Sequence, residues 1–171
     1  MAAERRAGSK TIVVGIVPGQ STTVVISAAD LAVSLGAELV CAFVDRARYT
    51  VTESLDGSVV AAPFDPDLPE LDDETIDAQL EQQIAQTLRD SPVRWSVRAL
   101  AGDPVRALAR LAETLDAELI VVGAREGRRM SIQEFFGGSL AVHLAHRQHR
   151  PVVVIPVVPT PRGQQLPWEL Q

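Results

Sequence analysis

Short segments with the character of buried strands alternate with longer helical segments along most of this chain. The five strand-like segments are residues 11–17, 38–44, 93–100, 119–122 and 151–158. Alternation of strands and helices requires crossover connections, which are right-handed and leave the strands parallel in one sheet. The pattern therefore predicts an α/β fold, a five-stranded parallel doubly wound sheet with helices on both faces.

The segments between the strands carry helix signals. Ile76, Leu80, Ile84 and Leu88 recur every four residues and predict a helix over 72–88. Residues 21–35 form a broad apolar face and end at Gly36, a common helix stop. Asp103 followed by Pro104 is typical of a helix start, and this helix is expected to extend to about residue 116. A last helix is expected from residue 137 to 147.

One internal segment breaks the alternation. Residues 46–71 contain three prolines and Gly57 and show only a weak hydrophobic pattern, which predicts a long loop. The ends of the chain, residues 1–9 and 159–171, are expected to be poorly ordered tails. The remaining residues, 10–158, are expected to form one domain.

Charge and composition exclude several classes of function. The formal net charge is −6, and a phosphate-binding nucleic-acid surface or an anionic-membrane surface would need a basic balance. The single cysteine, Cys41, lies in an apolar run and is interpreted as a small buried side chain. No apolar run reaches the length of a membrane span, and the first ten residues lack a signal-peptide centre. We expect a soluble cytoplasmic protein.

The loop over residues 123–139 is the segment with the clearest chemical potential. It leaves a buried strand and enters a helix through Gly137, Gly138 and Ser139, with Arg125 and Arg128 nearby. Glycines let a phosphate approach backbone N–H groups at a helix start, and arginines neutralise its charge. Spacing alone also allows a plain turn, with Ser139 as an N-cap and the arginines solvated. Together with the turn at residues 17–20, this loop would line the cleft at the carboxyl ends of the strands.

Several motifs resemble the universal stress protein family. The resemblance is carried by 12–16 (IVVGI), 35–39 (LGAEL), 102–104 (GDP), 120–123 (IVVG), 138–141 (GSLA) and 151–156 (PVVVIP). It extends from residue 10 to about 157 and implies the family's Rossmann-like sheet with strand order 3-2-1-4-5. The segment 46–71 falls outside it and is longer than the usual family loop.

The resemblance also implies a nucleotide site. Gly123 matches the first glycine of the family's nucleotide loop, Gly127, Gly138 and Ser139 would contact phosphate, and Val44 would lie against adenine. The cofactor so implied is ATP, with Mg²⁺. Two departures bear on this site. Val17 occupies the position where nucleotide-binding relatives carry an aspartate, and the loop spacing is Gly-x3-Gly instead of Gly-x2-Gly.

The family resemblance favours a stress-response module that binds a nucleotide without turning it over. The chain shows no nucleophile elbow and no lysine-bearing phosphate loop, so we expect no enzyme activity. Two alternatives stay open: a dimeric protein-interaction module that binds no nucleotide, and a weak ATPase. A metal site at the three histidines, residues 143, 146 and 149, is not expected, because no suitably spaced cysteine or carboxylate joins them.

The last predicted strand is the expected dimer contact. Val152, Val153, Val154 and Ile155 are apolar, and the family order places them at a sheet edge, where an uncovered strand can pair with another chain. The resemblance implies a homodimer formed through this strand. The alternative for this strand is burial under the chain's own tail. In the protein-interaction module, the long loop or the acidic surface would contact a protein partner.

Overall fold

The computed structural model describes residues 10–17, 19–65, 73–124 and 140–157, with the backbone alone for 73–77. The elements in chain order are β1 (Lys10–Ile16), α1 (Thr22–Leu35), β2 (Ala37–Asp45), β3 (Arg48–Glu53), β4 (Val59–Pro63), α2 (Asp73–Thr87), β5 (Trp95–Ala101), α3 (Pro104–Thr114), β6 (Leu119–Gly123), α4 (Leu140–Arg147) and β7 (Val152–Ile155). The predicted terminal tails lie outside the described residues.

Five of the strands form one parallel sheet in the order β5-β2-β1-β6-β7. Counting only the five strands predicted from sequence, this is the order 3-2-1-4-5, so the predicted fold is confirmed. The register pairs Ile16 with Phe43 on one side of β1 and Val14 with Val121 on the other. From β1 the chain adds β2 and β5 on one side of the sheet, and then β6 and β7 on the other. The order in which strands are added therefore reverses at the central strand β1.

The helix ends follow the sequence signals. The Ser21 side chain accepts a hydrogen bond from the N–H of Thr23, and Gly36 ends α1 in a left-handed conformation with φ 63°. Asp103 accepts from the N–H of Arg106 at 3.0 Å and caps α3. The β-branched start of α1 disfavours a helix in isolation, but Val24 is fully buried there, and packing outweighs propensity.

Each face of the sheet has its own apolar core. Helices α1 and α2 cover one face, where Leu80 and Ile84 pack on the strands. Helices α3 and α4 cover the other face through Leu108, Leu111 and Leu144. The core side chains are almost entirely aliphatic, as the low aromatic content of 4% requires.

Cys41 lies in the core beneath α1 and α2 and is fully buried. Burial disfavours the thiolate and raises the pKa of the Cys41 thiol to about 12. The interpretation of Cys41 as a buried structural side chain is confirmed.

The segment predicted as a long loop contains a β-hairpin instead. Strands β3 and β4 pair antiparallel, so the loop prediction is wrong for these residues, while 66–71 lie outside the described residues. The register shifts between Thr50 and Thr52, and this irregularity breaks the two-residue alternation that identifies a strand in sequence. Gly57 adopts φ 79° in the turn, and Val59 packs against the core beneath α3.

Candidate functional site

The candidate site is the carboxyl edge of the sheet, the side at which the parallel strands end. Ligands of doubly wound sheets bind at this side, where the strand order reverses, and here it reverses at β1. The register places residue 17 one step beyond the Ile16–Phe43 pair, beside Val44, and places Gly123 near the level of Ile16. Three of the residues predicted from sequence, Val17, Val44 and Gly123, therefore meet at one edge. They come from three strands far apart in sequence.

The turn between β1 and α1 is closed by a side chain. The N–H of Gln20 donates to the carbonyl of Val17 at 3.1 Å, and the N–H of Val17 donates to Oε1 of Gln20 at 3.0 Å. Gly19 in this turn has φ 75°. The Gln20 side chain is thereby folded back over the turn, while Val17 is 59% exposed at its rim.

Gly123 allows this turn to approach the end of β6. A Cβ atom at Gly123 would lie 2.9 Å from Cγ2 of Val24 and closer still to Nε2 of Gln20. The absence of a side chain at residue 123 is therefore what lets α1 and Gln20 pack over the strand end. The Gln20 amide consequently forms part of the crevice wall. The turn could be predicted from the sequence but this side chain could not, because no spacing rule marks it.

The end of β2 forms a second wall. Val44 is half-buried and packs toward the core beneath α3 and α4. The backbone around it is fixed, since the N–H of Gly102 donates to the carbonyl of Asp45 at 2.8 Å. The Asp45 carboxylate accepts from the N–H of Ala47 at 2.8 Å and begins the turn into the hairpin. Val44 thus offers a firmly held aliphatic surface beside the crevice.

The remaining predicted site residues, Gly127, Gly138, Ser139, Arg125 and Arg128, lie outside the described residues and stay predictions. Within the part of the chain that the structure describes, no group of three or more histidine, cysteine or acidic side chains could hold a metal ion. Across those same ranges, no helix has the length and apolar character needed to cross a bilayer.

The strand predicted to form a dimer is found at the sheet edge. In the five-stranded sheet β7 pairs with β6 alone, and Val154 is 46% exposed. The same pairing places Val152, Val153 and Ile155 in this outer strand, as predicted. The dimer itself stays a prediction.

The fold is that of a doubly wound α/β domain, with its switch point at β1. The family model described as the universal stress protein family matches residues 8–156. The chain therefore belongs to the universal stress protein family, as its motifs indicated.

Solved structures show the same fold at low sequence identity. A universal stress protein in complex with cAMP is 21% identical, with a TM-score of 0.61, over 88% of this chain and 98% of that chain. A universal stress protein from Archaeoglobus fulgidus in complex with dAMP is 18% identical, with a TM-score of 0.54, over 85% and 96%. Another structure from that organism is 18% identical, with a TM-score of 0.56, over 85% and 92%. No curated protein sequence matches the chain.

Proposed function

We propose that this protein binds an adenine nucleotide, ATP or a related one, in the crevice at the carboxyl edge and acts by binding instead of turnover. The observation that carries the proposal is the meeting of Val17, Val44 and Gly123 at the switch point of a universal stress protein fold. Two solved structures with this fold hold cAMP and dAMP, which supports an adenine ligand.

Each wall of the crevice suits one part of a nucleotide. The half-buried Val44 offers an aliphatic surface for a flat base. The amino end of α1 faces this edge, and its positive partial charge favours an anion. In the proposed complex the predicted contacts at Gly127, Gly138 and Ser139 add further backbone and hydroxyl donors to the phosphates, with Arg125 and Arg128 neutralising charge.

Val17 sets the expected metal dependence of binding. An aspartate at this position could help to hold Mg²⁺, and a valine cannot. Phosphoryl transfer needs a positioned metal and a fixed cation near the reacting phosphate. We therefore propose that nucleotide binding proceeds without Mg²⁺ and that the bound nucleotide is not hydrolysed. The Mg²⁺ implied by the family resemblance is then dispensable.

Calorimetry with ATP and with cAMP, each with and without Mg²⁺, tests the proposal. Heat of binding that does not depend on Mg²⁺ is expected, and a Gly138→Leu change should abolish it. No heat at millimolar concentrations of either nucleotide would contradict the proposal and favour a protein-interaction module. Phosphate release above that of a Ser139→Ala variant would favour the weak ATPase.

A gain-of-function variant tests the role assigned to Val17. Val17→Asp should make ATP binding stronger with Mg²⁺ than without it, because it restores a carboxylate at the crevice rim. Val17 is more than half exposed, so the change should not affect folding. The matched control is Val33→Asp. Val33 is also an exposed valine but lies on α1, so its replacement should leave binding unchanged. Equal Mg²⁺ effects in both variants would contradict the assignment.

Assembly forms the second part of the proposal. Among the residues that the structure describes, β7 pairs only with β6, which supports a homodimer formed through this strand, acting in the cytoplasm. Val154→Lys places a charge at the exposed centre of the edge and should convert a dimer to a monomer in analytical ultracentrifugation. A wild-type monomer at all concentrations, or a dimer that persists in the variant, would contradict this contact.

A further inference from the structure

An open groove lies between α3 and the connection from α4 to β7. Its volume is about 550 Å³. One wall is formed by residues on the outer side of α3, and the other by the end of α4 with the following turn. The lining residues are Val105, Arg106, Ala109, Arg110, Glu113, Arg147, Gln148, His149 and Arg150.

The groove is basic although the chain carries a net charge of −6. Four arginines line it, and Glu113 is the one acidic side chain among the described residues of its walls. Two of the arginines already have partners. Nε of Arg110 contacts a Glu53 carboxylate oxygen at 2.6 Å, and Nη2 of Arg150 contacts Oδ1 of Asp116 at 3.1 Å.

Arg150 holds the second wall in a fixed shape. Its Nε donates to the carbonyl of Ala117 at 2.6 Å, which ties the turn to the end of α3. The Gln148 side chain accepts from the N–H of Arg150 at 2.5 Å and donates to its carbonyl at 2.7 Å. The turn is therefore rigid where it meets the groove, and Arg150 acts in positioning it.

Arg106 and Arg147 supply the charge that remains available. Both are exposed, they lie on opposite walls, and neither forms an ion pair with another described residue. Between them the groove is apolar, with Val105 buried and Ala109 half-buried. Two guanidinium groups flanking an apolar strip can each bind a carboxylate while the strip contacts the stems of the ligand's side chains.

We propose that this groove binds an acidic segment of a partner protein. The groove extends along α3 from Arg106 to Glu113, roughly two helical turns, which suits an extended peptide. Its walls consist mostly of exposed side chains, so it is an open channel instead of an enclosed pocket for a small molecule. Carboxylates spaced along a peptide can bind arginines on both walls.

The hairpin is coupled to this groove through Arg110. Glu53 on β3 holds Arg110 by an ion pair, so an incoming carboxylate competes with Glu53 for the same guanidinium. Removing the Glu53 charge should therefore strengthen binding of an acidic peptide. The gain should exceed that of Glu81→Gln, at an exposed carboxylate on α2 outside the groove, and this difference separates the groove from a general attraction between the peptide and scattered arginines.

Fluorescence anisotropy with a labelled oligoglutamate peptide at low salt tests the proposal. The peptide should bind, an oligoglutamine peptide should not, and affinity should fall as salt increases. The double variant Arg106→Ser/Arg147→Ser should weaken binding about tenfold. Arg89→Ser/Arg94→Ser, a change of equal charge at two exposed arginines that do not line the groove, should have little effect.

Three outcomes would overturn the proposal. The first is equal binding of the two peptides. The second is an equal loss of affinity in both double variants while thermal unfolding shows all proteins folded. The third is displacement of the peptide by inorganic pyrophosphate at equal or lower concentration, which would indicate a small-anion site. Glu53→Gln gives an independent measurement: a larger gain in affinity than in Glu81→Gln supports the groove, and an equal or smaller gain contradicts it.

Discussion

The two faces of the sheet are covered in different ways. Helices α1 and α2 close one face, and the contacts there are aliphatic side chains packed on the strands. The other face is covered by α3 and α4 together with the hairpin β3-β4, which lies against α3 and β5. The hairpin touches the core through its turn at Gly57 and through Val59.

Polar contacts between described residues also hold the hairpin. Glu53 contacts Arg110 at 2.6 Å and accepts from Thr114 at 3.3 Å, while Arg98 lies 3.9 Å from the Asp56 carboxylate. Exposed polar contacts contribute little free energy compared with buried aliphatic side chains. The hairpin should therefore open more readily than the helices on either face, as a locally unfolding unit.

The largest expected effect comes from the side chain that supports both α3 and the hairpin. Leu111→Ala should lower the free energy of unfolding by about 3 kcal/mol, because Leu111 is fully buried and truncation leaves a cavity. It should also increase hydrogen exchange of the β3 and β4 amides, since the turn at Gly57 rests on Leu111. Urea unfolding and hydrogen exchange measure the two effects.

Ile84→Ala is the matched variant on the opposite face. Ile84 is buried to a similar degree in α2, so a similar loss of about 3 kcal/mol is expected. Hydrogen exchange of the hairpin amides should increase only in proportion to the increase in global unfolding. If both variants loosen the hairpin equally, the two faces do not differ in the way described.

The turn of the hairpin gives a smaller and more local effect. Gly57→Ala should cost about 2 kcal/mol, because φ 79° strains an alanine and the added Cβ overlaps Cδ1 of the buried Leu111. Gly19→Ala is the control, since φ is 75° there but nothing lies within 4 Å of the new Cβ. It should cost about 1 kcal/mol. Equal losses in urea unfolding would show that Leu111 does not constrain the turn.

The labelling rate of Cys41 measures whether the destabilisation caused by Gly57→Ala is confined to the hairpin. Its thiol is buried under α1 and α2, and burial raises its pKa to about 12, so it should react with thiol reagents only after opening. In Gly57→Ala the labelling rate of Cys41 should increase only in proportion to the loss of global stability. A much larger increase would mean that the hairpin and the opposite face open together.

The reach of each signal along the chain explains what could be predicted from sequence. Helix α2 was predicted from its four-residue repeat, and α3 from Asp103 and Pro104, because these signals are local. The hairpin was missed because the irregularity between Thr50 and Thr52 disrupts the alternation, and because it is held largely by contacts distant in sequence. At the site, strand ends located Val17, Val44 and Gly123, but Gln20 could not be found, since its position depends on a turn folding back onto β6.

The ion pair between hairpin and helix should contribute a still smaller amount. Glu53→Gln should cost about 0.5 kcal/mol, because the Arg110 side chain is 71% exposed and solvent screens the interaction. A double-mutant cycle with Arg110→Gln in urea unfolding measures the coupling. Coupling well above this value would mean that polar contacts fix the hairpin as firmly as apolar packing fixes the helices.

The smallest effect is expected at the hairpin turn and should depend on pH. The pKa of Asp56 is lowered from its ordinary value of 3.8, first by the hydrogen bond from the Ser58 hydroxyl at 2.6 Å and then by the Ser58 N–H at 3.1 Å, with a contribution from Arg98. A lowered pKa in the folded state means that the ionised carboxylate stabilises the fold above the unfolded pKa. This contribution is lost as pH falls through the folded value. Asp56→Asn should therefore destabilise slightly at neutral pH, and the difference should vanish once the pH falls below the folded pKa, which itself lies below 3.8. Urea midpoints that differ equally at both pH values would assign the effect to the amide itself and not to the lost charge.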